Sequence, residues 1–306
     1  MQIVQLYVEG EKVDMFQDES INISDSIAIN GTQGFLVNAS SNVLLTDNLA
    51  TGHLAAGLSS GFYFTGNSDN NTMISNTANS NCAGILILDA NNTYVIDNLV
   101  YNNTFDLVPY FISGSYTFNM TNTTFTNPTG SMDNSTVLSI DDTGGPMNIY
   151  TVDWDINPTP GSLPPIYTTF ENKFINIIDQ FNGVSIDSIT WHWNNSEAST
   201  YNEDNFDLWK YNSTPAWEQE TAVLNTSANT MTVTGLVPAS IYGILESLGT
   251  PVSSCQIINE SGTDLLRTDL SGVAIATPTV TSSNYACIVI DSSDVTLDCN
   301  GHTMSH

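Results

Sequence analysis

Residues 61–98 read GFYFTGNSDNNTMISNTANSNCAGILILDANNTYVIDN and hold two copies of one pattern. Gly61-Phe62-Tyr63-Phe64 is followed by Asn71-Thr72-Met73-Ile74 and Asn76; Gly84-Ile85-Leu86-Ile87 is followed by Asn92-Thr93-Tyr94-Val95-Ile96 and Asn98. Asn76 to Asn98 is one period of 22 residues. Upstream, Gly34-Phe35-Leu36-Val37 with Asn42-Val43-Leu44-Leu45 and Asn48 is a further copy, and the repeat spans 20–104. Two short strands with Asn- or Gly-marked corners, recurring at this interval, predict the coils of a parallel β-helix, whose rungs stack and bury one face of each strand. Asn suits the corners because it tolerates left-handed backbone, and stacked Asn side chains form ladders between rungs. An antiparallel sandwich with similar strands is the competing reading; the paired strand-corner-strand spacing favours the β-helix. The copy at 61–71 carries two extra residues, so the coils are irregular.

Over 105–150 the period dissolves. Tyr116-Thr117-Phe118, Thr124-Phe125 and Val137-Leu138-Ser139-Ile140 alternate, but Gly130 and Gly144-Gly145-Pro146 cut them into hairpin-sized pieces. Residues 157–165, NPTPGSLPP, read as a stiff connection or long surface loop. Strands at 174–178, 186–193, 206–211, 221–224, 231–233 and 241–245 then predict an antiparallel sandwich, with Trp191, Trp193 and Trp209 as core or exposed aromatic patches. The end of the chain resembles its beginning: shifted back by about 252 positions, Cys287-Ile288-Val289 falls on Phe35-Leu36-Val37, and Ser292-Ser293-Asp294-Val295 on Ser40-Ser41-Asn42-Val43. The expected fold is all-β, right-handed parallel β-helix coils plus an antiparallel Ig-like β-sandwich. Its expected division is 1–130 for the β-helix segment with transition strands, 131–250 for the sandwich, and 251–306 for a β-helix cap and first coil. Residues 1–30 supply strands without an evident cap.

Composition excludes several partners. The formal charge of −28 sets 32 Asp and Glu against four basic residues, Lys12, Lys173, Lys210 and Arg267. Nucleic acid and anionic membrane both demand clustered Lys and Arg, so neither is an expected partner. The acidity favours solubility and attracts cations. An apolar content of 41% supports packed cores, and a charged fraction of 12% is low for a salt-loving source, leaving Asn, Ser and Thr to cover the surface.

Those residues also form N-x-S/T sequons, at Asn22, Asn30, Asn38, Asn70, Asn91, Asn102, Asn119, Asn122, Asn134, Asn194, Asn212, Asn225 and Asn259. Chance in an Asn- and Thr-rich chain accounts for many; the functional reading is a secreted, glycan-coated protein of the cell surface. Cys255, Cys287 and Cys299 are too far apart for a C-x-x-C redox or zinc pattern, and in an exported protein a disulfide among them is expected; Cys82 reads as a small core residue. Residues 1–6 lack a basic start and a cleavage site, and no run approaches about 18 apolar residues. The chain therefore reads as mature or as a segment of a larger polypeptide, or else as a subunit completed by its neighbours.

Catalysis is the weaker reading. A pectin-degrading β-helix enzyme needs paired carboxylates, or Ca²⁺ with a strong base, and basic groups to hold anionic sugars. One Arg and three scattered Lys form no such groove, although a neutral glycan escapes this argument. Asp153-x-Asp155-x-Asn157 begins like a Ca²⁺ loop, but Pro158 and Pro164 stand where the helix-loop-helix version needs Gly and Glu. Structural calcium through isolated carboxylates such as Asp141, Asp142, Glu203 and Asp204 stays open; no other cofactor is expected. His53, His192, His302 and His306 show no metal-ligand spacing. Trp191 and Trp217 are the candidates for stacking on sugars.

CQIINESGTDLLRTDLSG (255–272) with ACIVIDSSDVTLDCNGHTM (286–304) resembles the opening of a right-handed parallel β-helix in archaeal cell-surface proteins of the periplasmic, copper-maturation-like β-helix family. FDLWKYNST (206–214) and NTSANTMTVTGLVPASIYGIL (225–245) are similar to the β-sandwich modules found between such helices, and TNTTFTNPTGSMDNSTVLSIDD (121–142) to the segment leading into them. Surface filaments of the grappling-hook type are among the members this implies. The spacing of the histidines gives the copper in the family name no support. The expected function is a structural subunit of an extracellular archaeal filament or surface layer, self-assembling head-to-tail through β-helix ends, with a role in adhesion and no catalytic activity. Its partners are copies of itself and surface glycans. The alternatives are a carbohydrate-binding adhesin module and a β-helix glycoside hydrolase or lyase.

Overall fold

The computed structural model describes residues 2–8, 11–17, 20–55, 59–112, 116–126, 135–144, 147–154, 162–164, 166–180, 183–212, 216–238, 240–266, 269–271, 275–276, 285–299 and 302–305. Asn134, Asp155, Asn157, Arg267 and His306, singled out above, lie outside them.

About four turns of a parallel β-solenoid open the fold. The first turn comprises Ile21–Ser24, Ile27–Ile29 and Gln33–Asn38; the second Val43–Thr46, Leu49–Thr51 and Ser60–Thr65. The third comprises Asp69–Ile74, Thr77–Asn79 and Ala83–Leu88; the fourth Asn91–Ile96, Leu99–Tyr101 and Phe105–Phe111. Equivalent strands of successive turns pair in parallel, giving a first, a second and a third face. The long strand Tyr116–Thr126 then continues both the first and the second face. Left-handed residues turn the corners: Asp25, Asp47, Ser75 and Asp97 after the first face, and Asn30, Gly52, Ser80 and Asn102 after the second. All but Gly52 carry short polar side chains, which reduce the penalty of that conformation by bonding locally.

Asparagine ladders run through the interior, as the sequence pattern led us to expect. Asn76 Oδ1 accepts the backbone N–H of Asn48 at 2.9 Å and its Nδ2 at 3.0 Å, and Asn98 Oδ1 repeats both contacts with Asn76 at 2.8 and 3.1 Å. A second column joins His53 N–H to Asn81 Oδ1 (3.1 Å) and Asn81 to Asn103 Oδ1 (2.9 and 3.0 Å). Phe35 and Phe62 stack at 5.0 Å on the third face, while Ala28, Ala50 and Ala78 line the narrow second face. Gly34, Gly61 and Gly84 mark the repeat because the faces approach closely there. A Cβ on Gly84 would stand 2.6 Å from Asp106 O and 2.7 Å from Val100 Cγ1.

The N-terminal strands correct one expectation. Gln2–Val8 and Glu11–Gln17 form a hairpin, and Gln2–Val8 pairs antiparallel with Gln33–Asn38. The third face therefore does have a cap, since a hairpin strand satisfies the outward backbone groups of the first turn. On the other two faces Ile21–Ser24 and Ile27–Ile29 are the outermost strands among the described residues.

Past the solenoid the pairing turns antiparallel. The third face passes through Asn148–Asp153, Tyr167–Asp179, Ser240–Ser247 and Phe206–Asn212 to Ala216–Gln219. The first face passes from Tyr116–Thr126 through Ser135–Gly144, Ile186–His192 and Thr230–Leu236 to Val223–Asn225. These two sheets meet across a core that holds Trp191 and Tyr242, ring centroids 6.3 Å apart, within one apolar cluster running from Ile21 to Ile244. Ser240–Ser247 lies between Phe206–Asn212 and the earlier strand Tyr167–Asp179, an order that does not by itself identify the sandwich as immunoglobulin-like.

Contacts divide the chain into two units, Met1–Leu163 with Thr169–Leu245, and Pro164–Thr168 with Glu246–His306. The second unit has parallel columns of its own. Thr250–Val252, Gly262–Leu266 and Val295–Asp298 form one, Gln256–Ile258 with Ile288–Ile290 another, and Leu270–Ser271 with Met304–Ser305 a third. The closing stretch is thus a coil stacked on the one begun at Gln256. Asp294 (φ 59°) turns the corner before Val295–Asp298 just as Asn42 (φ 58°) does before Val43–Thr46, the two residues superposed when the ends of the sequence are compared.

Candidate functional site

A groove lies on the outward side of the third face. Ser59, Cys82, Ala83, Leu86, Phe105, Val108, Tyr110, Ile149, Thr151 and Gln180 surround about 210 Å³. Its floor belongs to an outward apolar cluster of Leu36, Tyr63, Ala83 and Leu86, against which Val108 and Tyr110 pack. Inward neighbours Phe35, Val37, Phe62, Phe64, Ile85 and Ile87 are also buried, so these strands are covered on both sides. Sequence reasoning missed this surface, yet its signal was present: Phe35-Leu36-Val37, Phe62-Tyr63-Phe64 and Ile85-Leu86-Ile87 are unbroken apolar runs rather than alternating ones.

Buried carboxylates lie where the pairing changes from parallel to antiparallel. The backbone N–H of Asp106 donates to Asp153 Oδ1 at 2.8 Å, and the N–H of Trp154 donates to Asp106 Oδ2 at 3.1 Å, a reciprocal exchange between neighbouring strands. Asn103 Nδ2 completes the environment of Asp106 at 2.9 Å. Burial pushes the Asp106 carboxyl up to about 6, against the pull of the bonds from Asn103 and Trp154. Asp142, also pushed up to about 6 by burial, accepts Asn148 Nδ2 at 2.9 Å and Tyr150 OH at 3.2 Å. Of the other calcium candidates, Glu203 accepts the Trp193 indole N–H at 2.8 Å.

The remaining candidates are spread over the fold. Trp191 is 2% exposed and shut in the core, which corrects its reading as a sugar platform: no ring face reaches the surface. Trp217 is partly exposed, packed on Tyr211 at 5.3 Å and Phe174 at 5.9 Å, with its indole N–H on Ser162 O at 3.0 Å. Lys210 beside it is held by Glu220 at 2.8 Å and Glu218 at 3.2 Å. Cys255 and Cys287 form a disulfide, Cα atoms 4.4 Å apart, at the entries of two stacked strands; Cys299 is exposed outside it, and Cys82 lines the groove. Sequons Asn22, Asn30, Asn70, Asn102, Asn122, Asn194, Asn225 and Asn259 are exposed, and Asn38, Asn91, Asn119 and Asn212 are half-buried. The hydroxyl-bearing residues of two of these sequons, Ser40 and Thr93, are buried.

Histidines offer little to a metal. His53 is buried with Nε2 3.3 Å from Ala28 O, and burial lowers its pKa. His192 Nε2 lies 2.8 Å from Ser139 Oγ, and His302 Nδ1 lies 3.5 Å from Asp269 Oδ1. Among the described residues no group of three or more His, Cys, Asp and Glu could hold a metal ion. No helix among them is long and apolar enough to cross a membrane.

Residues 7–141, a little under half of the chain, match the family model described as Periplasmic copper-binding protein (NosD). No curated protein and no solved structure matches the chain. Within the matched stretch the soft ligands whose side chains are described are His53, Cys82, Met73 and Met120, and these two methionines are enclosed in the core. Among the described residues these four do not form the cluster around one open point that a copper centre needs.

Proposed function

We propose that the chain is a structural module of an extracytoplasmic surface assembly, a filament or layer subunit with an adhesive role that stacks on other copies through its solenoid ends. The observation that carries this reading is the pair of first-turn strands outside the hairpin cap. Ile21–Ser24 and Ile27–Ile29 are outermost in their columns among the described residues, with Ile27 and Ile29 57% and 49% exposed. A strand of a second copy laid along these edges would pair their outward backbone groups and cover both isoleucines. Ile288–Ile290 and Met304–Ser305, outermost in their own columns among the described residues and with Ile290 and Met304 exposed, would be the complementary edge. Such a contact is heterologous and propagates as a fibre. The disulfide, the sequons and the periplasmic family description support a place outside the cytoplasm. Light scattering and electron microscopy of the purified chain test the reading: Ile27→Lys with Ile29→Lys should turn assemblies into monomers, and unchanged assemblies, or none in the parent chain, would overturn it.

A second reading is a carbohydrate-binding module, favoured by the Trp217–Tyr211 pair on the strand Ala216–Gln219 and its neighbour Phe206–Asn212. Glycan-array binding lost in Trp217→Ala would support it. A hydrolase or lyase is less favoured, because Lys173 is tied to Glu197 and Lys210 to Glu218 and Glu220, so neither is on offer to an anionic sugar. Release of reducing sugar from a polysaccharide would establish it.

A further inference from the structure

Where the chain passes from Ser135–Gly144 in one sheet to Asn148–Asp153 in the other, two buried acceptors are unaccounted for. Asn148 Nδ2 donates to Asp142 Oδ2 at 2.9 Å, yet Asp142 Oδ1 and Asn148 Oδ1, the remaining oxygens of the same two side chains, have no partner. Both residues are buried, Asp142 completely. Buried acceptors without a donor are rare because each costs its lost hydration, and two on one interacting pair call for a common cause. A carboxylate and an amide oxygen are both acceptors only, and a single proton between them would serve both.

We infer that Asp142 is carried as the neutral acid, its Oδ1 proton donated to Asn148 Oδ1, so that the two side chains close a cyclic acid–amide pair that opens when the proton leaves to solvent. One proton satisfies both orphaned oxygens. Gly144 makes room for it: a Cβ there would stand 2.6 Å from Asn148 Nδ2 and 2.5 Å from Phe111 Cδ2. The surroundings favour the neutral form. Of the titratable groups facing Asp142, Asp187 on the strand Ile186–His192 repels an anion through its charge while its backbone N–H favours one, and Tyr150, whose OH donates to Oδ2 at 3.2 Å, is itself held protonated by burial. Asp187 is fixed in place by the N–H of Thr143 at 3.0 Å. Burial is the largest cause of the raised Asp142 pKa, and it outweighs the bonds from Tyr150, the Asp187 backbone and Asn148.

The consequence is a latch worked by protons. A carboxyl whose pKa is raised on folding adds stability below its unfolded pKa and loses it as pH rises through the folded one, here about 6. The closed pair belongs to mildly acidic conditions. Carbon-13 NMR of the aspartate carboxyls in the full chain, with Asp142 assigned by its loss in Asp142→Asn, should show it titrating well above the ordinary carboxylate range. Should that variant not fold, hydrogen exchange in the parent chain serves instead. Amides of Asn148–Asp153, corrected for intrinsic rate, should lose protection as pH rises from about 5 to about 7.5. A midpoint near the ordinary value of roughly 4, or protection that does not change, would overturn the inference. So would millimolar Ca²⁺ restoring protection at the higher pH, which would assign the two oxygens to a cation.

Discussion

Asn76 shows how much of this fold rests on single side chains. Its Oδ1 accepts two donors from Asn48, and its Nδ2 reaches Leu45 O (2.9 Å), Ile74 O (3.0 Å) and Asn98 Oδ1 (3.1 Å). Asn76→Ala strips the acceptor from two donors and the donor from three oxygens, all but Ile74 O in buried bonds. At 1–3 kcal/mol for an unsatisfied buried group, a loss of about 3 kcal/mol or more is expected in urea denaturation. Asn22→Ala, at an exposed position, should change stability by less than about 0.5 kcal/mol. Equal effects would mean that the ladder carries no special weight. These asparagines were legible because the same residue recurs at the same phase of the repeat. His53 was not: it holds the Asn81 position one turn earlier, and one imidazole among asparagines carries no periodic signal. The glycines were seen but misread as corner marks, since the cause of Gly34, Gly61 and Gly84 is the approach of another strand, which becomes visible only when the faces are closed.

Among the elements, the coil closed by Cys255 and Cys287 depends most on a covalent tie. Its columns hold strands of two to five residues over a small apolar cluster of Val252, Leu266 and Leu270. The disulfide spans 32 residues, and a loop of that length is worth about 3–4 kcal/mol of unfolded-state entropy in the chain-entropy account. Reduction, or Cys255→Ser with Cys287→Ser, should therefore strip exchange protection from Gln256–Ile258 and Ile288–Ile290 while the solenoid strands at 43–101 keep theirs. Retained protection in the reduced chain would show that packing suffices. Sequence comparison found this coil through its likeness to residues 34–48, because strand-corner-strand spacing survives in one dimension. The N-terminal hairpin was lost because a cap is recognised by its partner strand, Gln33–Asn38, and not by its own alternation. The groove was lost for a related reason: attention went to Trp191 and Trp217, whereas the enclosed surface is built from Leu86, Val108 and Tyr110, whose outward direction depends on the register of three stacked strands.

For the whole molecule, the charge of −28 and the buried carboxylates act in the same direction on pH. With only four basic residues, most of the Asp and Glu lack a cationic neighbour, so their mutual repulsion opposes the compact state and weakens with salt. Protonation relieves it as well. Asp106 adds a local component: its carboxyl, held at about 6 by burial against an ordinary 3.8, binds its proton more tightly in the folded chain than in the unfolded one. Its contribution is complete below the unfolded pKa and is lost as pH climbs through about 6, an effect of about 3 kcal/mol between the two limits. Melting temperature should accordingly rise on acidification from about pH 7.5 to 5, and rise with salt at the upper end of that range. The two origins separate because salt screens the exposed charges and scarcely touches a carboxyl enclosed by Asn103 and Trp154. In high salt the remaining pH dependence should diminish in Asp106→Asn, which keeps the shape of the side chain and removes its titration. A pH profile that high salt flattens completely, in parent and variant alike, would assign the whole effect to the surface and leave the buried junction without a role in it.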